Sequence, residues 1–170
     1  MTMEICESGM KITYPNDNGF YIEKCNTYSK LCSFGVCSVE CVINIKKNMV
    51  YFIELKTTAP DKENKNDLNS YVASIADKFA HSISMCYAML HGIQQEDADY
   101  PIGIDLKHSL DNSPRIRFML LVKSIAEENC PILAEMFRRQ MKPLLKIWNA
   151  DSVIVMSGAQ AARKKLVVMK

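Results

Sequence analysis

The chain has 170 residues, of which 48% are hydrophobic and 24% charged, the proportions of a globular protein large enough to bury a core. Its seven cysteines are an odd number, which excludes a complete disulfide framework and favours reduced thiols. No apolar stretch approaches the roughly 18 residues that span a bilayer, and the acidic N-terminus lacks the features of a signal peptide. We therefore expect one cytoplasmic domain over residues 1–170, with no membrane partner.

The two parts of the chain differ in charge. Residues 1–111 contain 10 Lys/Arg and 15 Asp/Glu, a net charge of −5, whereas residues 112–170 contain 11 and 4, a net of +7. An acidic region suits a cation and a basic region suits a polyanion. Two solvated surfaces would produce the same totals, so charge alone leaves both interpretations open.

Residues 1–35 are expected to form N-terminal strands and an extension. Residues 11–14 and 20–23 predict two short strands around a turn at 15–19. A clearer hairpin follows, with strands at residues 36–45 and 49–56 and a turn at 46–48. The polar residues 57–67 then predict a loop.

The longest periodic segment begins near Leu68. Its apolar residues recur at steps of three and four, which predicts one face of an α-helix with Gly92 as its C-terminal cap. These residues are Leu68, Val72, Ile75, Phe79, Ile83, Cys86 and Leu90. Residues 94–114 are polar and predict irregular structure.

The rest of the chain alternates strand and helix. Residues 115–123 predict a strand that is buried on both faces. Pro131 suits the first turn of a helix capped by Asn129, and Pro143 must kink or restart that helix. Residues 151–156 predict the last strand, before a basic segment at 157–170. The sequence thus predicts an α/β fold, a mixed central sheet flanked by helices.

Two charged residues share one face of the second hairpin strand. Alternation places Phe52, Glu54 and Lys56 together, although burying a carboxylate and an ammonium is costly unless they pair or bind a metal. Glu40, in the partner strand, falls opposite Glu54 if the hairpin turns near residue 47. Two adjacent carboxylates repel, and a divalent cation such as Mg²⁺ or Mn²⁺ would relieve that repulsion.

Glu40 is followed by thirteen residues and then by Glu54-Leu55-Lys56. This pattern resembles the motif of the PD-(D/E)XK nuclease superfamily. The order of the predicted elements over residues 36–156 is also similar. The resemblance implies a restriction-endonuclease-like core and a metal-dependent nuclease, with DNA favoured over RNA as substrate. It further implies that Glu40, Glu54 and the backbone carbonyl of Leu55 hold the metal, and that Lys56 positions or activates the attacking water.

The chain departs from that family in three respects. The first acid is Glu rather than Asp and no Pro precedes it, the glutamine-and-tyrosine signature of some members is absent, and no N-terminal helix supplies a further carboxylate. Glu4, Glu7 and Glu23 are weak candidates for that carboxylate. The alternatives are a catalytically inactive binding module with the same fold, or a subunit of a larger complex.

Nucleic acid is the expected partner, with a protein partner or a second copy of the chain left open. An effector of antiphage defence or mobile-element conflict would fit the small size and the resemblance. Candidate nucleic-acid contacts lie on the long helix and in the basic C-terminal segment. They are Tyr71, Lys78, Arg163, Lys164 and Lys165.

Four clustered cysteines raise a zinc site as a minor alternative to small buried side chains. They are Cys25, Cys32, Cys37 and Cys41. The three histidines show no ligand spacing, so solvated or capping roles are expected for His81, His91 and His108.

Overall fold

The computed structural model describes residues 1–46, 48–61 and 63–169. It is a mixed α/β structure with one five-stranded and one three-stranded sheet, so the predicted fold class is confirmed at this level. The strands are β1 (Thr2–Glu7), β2 (Met10–Pro15), β3 (Gly19–Phe20), β4 (Cys41–Lys46), β5 (Met49–Lys56), β6 (Arg115–Val122), β7 (Val153–Ser157) and β8 (Val168–Met169). The α-helices are α1 (Asn26–Leu31), α2 (Lys65–Leu90), α3 (Ile104–Asp111), α4 (Cys130–Gln140), α5 (Lys142–Ile147) and α6 (Gly158–Arg163).

The five-stranded sheet has the order β3-β4-β5-β6-β7. Strands β3, β4 and β5 are antiparallel neighbours, whereas β5, β6 and β7 run parallel. Parallel strands need long crossover connections, and here α2 joins β5 to β6 while α4 joins β6 to β7. The carboxyl ends of β5, β6 and β7 therefore meet at one edge of the sheet.

The hairpin of β4 and β5 is confirmed, but its first strand is shorter than predicted. Strand β4 begins at Cys41, which pairs with Ile53, and Lys47 of the predicted turn lies outside the described residues. The segment before β4 bonds to α2 instead, since the N–H of Cys37 donates to His81 Nδ1 at 3.2 Å and that of Val39 to Ser82 Oγ at 2.9 Å. The prediction of a strand from residue 36 is wrong because helix side chains satisfy these amides.

The predicted hairpin of residues 11–14 with 20–23 is also wrong. Strand β2 pairs with β1 and β8, while β3 pairs with β4 in the other sheet. A turn of 3₁₀ helix at Asn16–Asn18 carries the chain from one sheet to the other. The N-terminal hairpin instead turns at Ser8 and Gly9, whose φ angles of 52° and 68° are left-handed.

Helix α2 is the long helix that the periodicity predicts. Asn64 caps its first turn by accepting the N–H of Asp67, and Gly92, with φ of 70°, follows its last turn as expected. All the predicted buried positions except the half-buried Leu90 lie in the core. The helix packs this stripe against one face of the central sheet.

Two further predictions are corrected in the C-terminal two thirds of the chain. Residues 94–114 are not wholly irregular, because α3 forms there and buries Leu106 and Leu110. Strand β7 is not the last, because β8 returns to pair with β2. Pro131 lies in the first turn of α4 and Pro143 in that of α5, as predicted, although the Asn129 side chain makes no capping bond.

The central sheet separates two apolar clusters. The larger contains residues of α2, α3, α4 and α5 with one face of the sheet, and the smaller contains β1, β2 and the C-terminal residues with the other face. Among the helices of the described residues, none combines the length and apolar character that a bilayer span requires.

Candidate functional site

Glu54 lies in the middle of the sheet, with its carboxylate under α2. Strand β5 is paired on both sides, and Glu54 stands beside Leu120 of β6. Its neighbour Phe52 packs in the larger cluster, whereas Ile53 and Leu55 pack in the smaller. The Glu54 side chain is 0% exposed, so its charge must be balanced by groups of the protein or by a bound cation.

Glu40 lies one residue before β4 and is itself only 5% exposed. Because Cys41 pairs with Ile53, the antiparallel register brings Glu40 beside Glu54. One carboxylate oxygen, Oε2, accepts the N–H of Leu55 at 2.7 Å. The Glu40 carboxylate thus bonds to β5 beyond the point at which β4 begins, where β5 has no partner residue in β4.

Two lysines approach the same oxygen of Glu54. The Nζ atoms of Lys56 and Lys78 each lie 2.7 Å from Glu54 Oε1, within ion-pair distance but away from hydrogen-bonding directions, since neither Glu54 oxygen has a hydrogen-bond donor. Lys56 comes from β5 and Lys78 from α2. The side chains are 32% and 20% exposed, so the buried carboxylate is joined to the surface through two ammonium groups.

The charge of Glu54 affects the protonation of Glu40. Burial raises the pKa of Glu40 well above its usual value, and the negative charge of Glu54 raises it further. Lys78 and the Leu55 N–H oppose these effects. Glu40 therefore retains a proton to higher pH than an ordinary glutamate.

Lys78 is held in its charged form by three carboxylates. Burial lowers its pKa, but Glu54, Glu40 and Glu23 outweigh burial and raise the value above the ordinary one. From the sequence, Lys78 was a candidate nucleic-acid contact on the long helix. The side chain instead belongs to the carboxylate site, which a one-dimensional pattern could not show because it depends on where α2 crosses β5.

A third carboxylate borders this group. Burial raises the pKa of Glu23, Lys78 lowers it, and Glu7 and Glu54 raise it, so Glu23 lies within electrostatic range of the site. Of the candidates for a further carboxylate, Glu7 and Glu23 are thus near the site, whereas Glu4 forms an ion pair with Lys11 at 2.8 Å.

The oxygen ligands at the site are of the type that a hard divalent cation prefers, but they match only part of the number that such a cation needs. Glu40 and Glu54 supply carboxylate oxygens, and both Glu54 oxygens are buried without a donor, which is the chemistry that Mg²⁺ and Mn²⁺ prefer. No cluster of three or more His, Cys, Asp or Glu side chains positioned for a metal ion occurs within residues 1–46, 48–61 and 63–169. The Leu55 carbonyl accepts the Ser8 hydroxyl at 3.3 Å.

The other candidate contacts lie in two places. The Tyr71 hydroxyl donates to the Thr58 carbonyl at 3.3 Å, and burial with the charge of Glu54 raises its pKa, so this side chain borders the site. Arg163, at the end of α6, pairs with Glu127 at 2.6 Å, and the exposed Lys164 and Lys165 follow it. These basic residues follow β7, two strands away from β5.

The clustered cysteines are separate in the structure. Cys25 and Cys41 are buried, Cys32 is exposed, and Cys37 contacts His81, with 3.3 Å between Sγ and Nδ1. His81 accepts a backbone N–H at a half-buried position, while His91 and His108 are exposed.

Comparison of the chain with protein-family models, with curated proteins and with solved structures finds no match. The resemblance to the PD-(D/E)XK superfamily therefore stays a prediction from the sequence, which is based on Glu40, Glu54 and Lys56 and on the order of the predicted elements.

Proposed function

We propose that the protein is a metal-dependent nuclease whose site is Glu40, Glu54 and Lys56. The observation that carries this proposal is a pair of adjacent carboxylates, nearly or fully buried, with an ammonium group that reaches the surface beside them. Burying two like charges is unfavourable by several kcal/mol per ion, and arrangements of this kind are concentrated at functional sites. DNA remains the favoured substrate.

In this proposal, the buried carboxylates and the more exposed lysine have different roles. Glu40 and Glu54 would hold Mg²⁺ or Mn²⁺, which supplies Lewis-acid polarisation of a phosphoryl oxygen. Lys56, the more exposed of the two ammonium groups, would contact the scissile phosphate, stabilise its developing negative charge and orient the attacking water. Lys78 would pair with the Glu54 carboxylate and hold it in place from the helix side.

A second candidate is a catalytically inactive protein with the same arrangement of elements, which binds nucleic acid or another protein. A specific observation favours it: the groups that would hold a metal already have partners in the chain. Two ammonium groups neutralise Glu54, Glu40 accepts the Leu55 N–H, and the Leu55 carbonyl accepts the Ser8 hydroxyl. In this alternative the cluster fixes the geometry of the hairpin and α2.

Cleavage by wild type and Lys56→Ala distinguishes the two. With Mg²⁺ or Mn²⁺, and with plasmid, single-stranded DNA and RNA as substrates, we expect the substitution to lower the rate by roughly 10²–10³. Lys56→Arg should rescue little, because a planar guanidinium differs in shape and hydration from a compact ammonium. Lys142→Ala, which removes an exposed lysine of α5, is the matched control and should cleave like wild type.

The samples are compared at equal folded fraction, measured by circular dichroism. Equal cleavage by wild type and Lys56→Ala would remove Lys56 from the chemistry. Absence of cleavage by wild type on every substrate, together with retained binding, would establish the inactive module instead.

A further inference from the structure

A cavity of about 300 Å³ lies at the carboxyl edge of the central sheet. Residues that follow β5 and β6 line it, together with residues in the first turns of α2 and α4. Pockets that hold small molecules typically measure roughly 300–1,000 Å³, so this cavity has room for one small group and not for a helix or a strand.

Backbone hydrogen bonds place the cavity beside Lys56. The N–H of Ser124, which lines the cavity, donates to the carbonyl of Thr57 at 2.9 Å. Ala59, another lining residue, is three residues after Lys56 and hence at most about 11 Å from it along the chain. The Lys56 side chain points to the face of the sheet that the larger cluster covers, and Leu133 of the cavity belongs to that cluster. A group bound in the cavity therefore lies near a phosphate that contacts Lys56.

The lining indicates the chemistry of the occupant. The walls are mainly apolar, and the polar side chains among the described lining residues are those of Asp61, Ser124 and Asn129. None of the described lining residues is Lys or Arg, and the Asp61 carboxylate would repel a phosphate. The cavity thus favours an uncharged group with apolar faces and hydrogen-bonding atoms at its edge, which is the chemistry of a nucleobase.

Asn129 carries an amide that the fold does not use for capping. It lies immediately before α4, but its side chain makes no capping bond to that helix. Its Oδ1 is buried and has no hydrogen-bond donor within the described residues, which is unfavourable. Because Asn129 lines the cavity, a small rotation of its amide would let an N–H group of a ligand supply the missing donor.

We propose that the cavity binds one unpaired nucleobase, that of the nucleotide whose phosphate contacts Lys56. The inference rests on the proposed nuclease function and names its substrate as a single strand, or a strand with an unpaired nucleotide. A paired base does not fit, because its hydrogen-bonding edge and both of its faces are covered in a duplex. The apolar walls and the Asn129 amide hold the base, and the phosphate lies outside the cavity at Lys56.

NMR titration of the isotope-labelled protein in a chelator tests the cavity without metal and without cleavage. Deoxyadenosine and deoxycytidine are the probes, since they are uncharged and do not need Lys56, and deoxyribose is the matching ligand without a base. The nucleosides should shift the amide resonances of Ser124 and Ile132 to saturation, whereas deoxyribose should leave them in place. A short DNA single strand should shift the same resonances, and a fully paired duplex of the same sequence should not.

Two variants alter the lining. Asn129→Leu replaces the amide by an apolar group of similar branched shape and should raise the dissociation constant of the nucleosides roughly tenfold, the effect of one lost hydrogen bond. Ser124→Leu fills the cavity from an exposed position and should abolish the shift at Ile132. Ser84→Leu changes an exposed serine of α2 outside the cavity, so this matched control should bind like wild type.

The result for the cavity is separate from the result for the nuclease. Nucleosides that leave both resonances in place, equal shifts with deoxyribose or with the duplex, or wild-type affinity in folded Ser124→Leu would overturn the proposal. The expected shifts in a protein that cleaves no substrate would retain the nucleobase site and remove the nuclease. Cleavage by a protein that lacks these shifts would retain the nuclease and overturn the nucleobase site.

Discussion

At the scale of single residues, Glu40 links protonation to stability. Its pKa is raised in the folded protein, first by burial and then by Glu54, so the folded state binds a proton that the unfolded state releases. For such a group, stability is fully present below the pKa of the unfolded state and is lost as the pH rises towards the folded value. In the absence of metal, the carboxylate pair therefore destabilises the protein increasingly as the pH rises above the pKa of an ordinary glutamate.

Glu40→Gln should remove this dependence. The amide oxygen can still accept the Leu55 N–H and the amide nitrogen can donate to Glu54, with no second negative charge. We expect the free energy of unfolding of the variant, minus that of wild type, to increase with pH, by at most about 1.4 kcal/mol per pH unit for one proton.

Urea unfolding in a chelator at several pH values measures this difference, and Glu128→Gln, an exposed substitution, is the matched control. Glu23 also has a raised pKa, but its contribution is common to both proteins and cancels in the subtraction. A difference that stays constant with pH would show that Glu40 is ionised to the same extent in the folded and unfolded states.

At the scale of elements, α2 stabilises the sheet and positions the site at once. Phe79 is 0% exposed, and its ring centroid lies 5.1 Å from that of Phe118 in β6. The preceding residue, Lys78, pairs with Glu54, and Ser82, about one turn after Phe79, accepts the N–H of Val39 in the segment before β4. The packing of the helix on the sheet therefore determines where the second ammonium group lies.

Phe79→Ala should cost about 3–5 kcal/mol of unfolding free energy through the lost burial and the cavity that remains. Phe34→Ala is the matched control, since the Phe34 side chain is 83% exposed and its removal should change stability by less than about 0.5 kcal/mol. Chemical denaturation of both variants gives the comparison. Equal, small losses would place Phe79 outside the core.

The elements that could be predicted from sequence are those marked by a local signal or by a periodic pattern of apolar residues. The β5 strand, α2 and the proline-started α4 and α5 each have a pattern of their own, and the structure confirms them. The three-stranded sheet could not be predicted in the same way, because β8 joins β2 across most of the chain. Likewise α3 is short, and its pattern of Leu106 and Leu110 was obscured by polar neighbours.

The candidate site likewise contains residues whose position could be predicted from the sequence and residues whose position could not. Glu40, Glu54 and Lys56 lie on one hairpin, so counting from its turn predicts that they meet, and the register of β4 with β5 agrees. Lys78 and Glu23 reach the same carboxylates from elements whose relative placement the sequence does not specify. Their roles in catalysis and those of the hairpin residues remain predictions.

At the scale of the whole molecule, the central sheet is shared by two clusters on its opposite faces. Residues of β5 alternate between them, with Phe52 in the larger cluster and Leu55 in the smaller. A sheet buried on both faces cannot lose one covering layer without exposing apolar residues of its own strands to water. We therefore expect both layers to unfold together in a single transition.

Ile5→Ala tests this coupling because the change and the reporter lie in different clusters. Ile5 of β1 is 0% exposed in the smaller cluster, and its truncation should cost about 2–5 kcal/mol. The single tryptophan, Trp148, packs against the larger cluster and stacks on Tyr87 with 4.9 Å between ring centroids. In a cooperative molecule, tryptophan fluorescence and far-ultraviolet circular dichroism should report the same lowered midpoint in denaturant.

Ile104→Ala, at a position that is 69% exposed, should leave both midpoints nearly unchanged. A Trp148 midpoint that stays at the wild-type value in Ile5→Ala, while part of the dichroism signal is lost early, would show that the layer formed by β1, β2 and β8 unfolds independently of the rest.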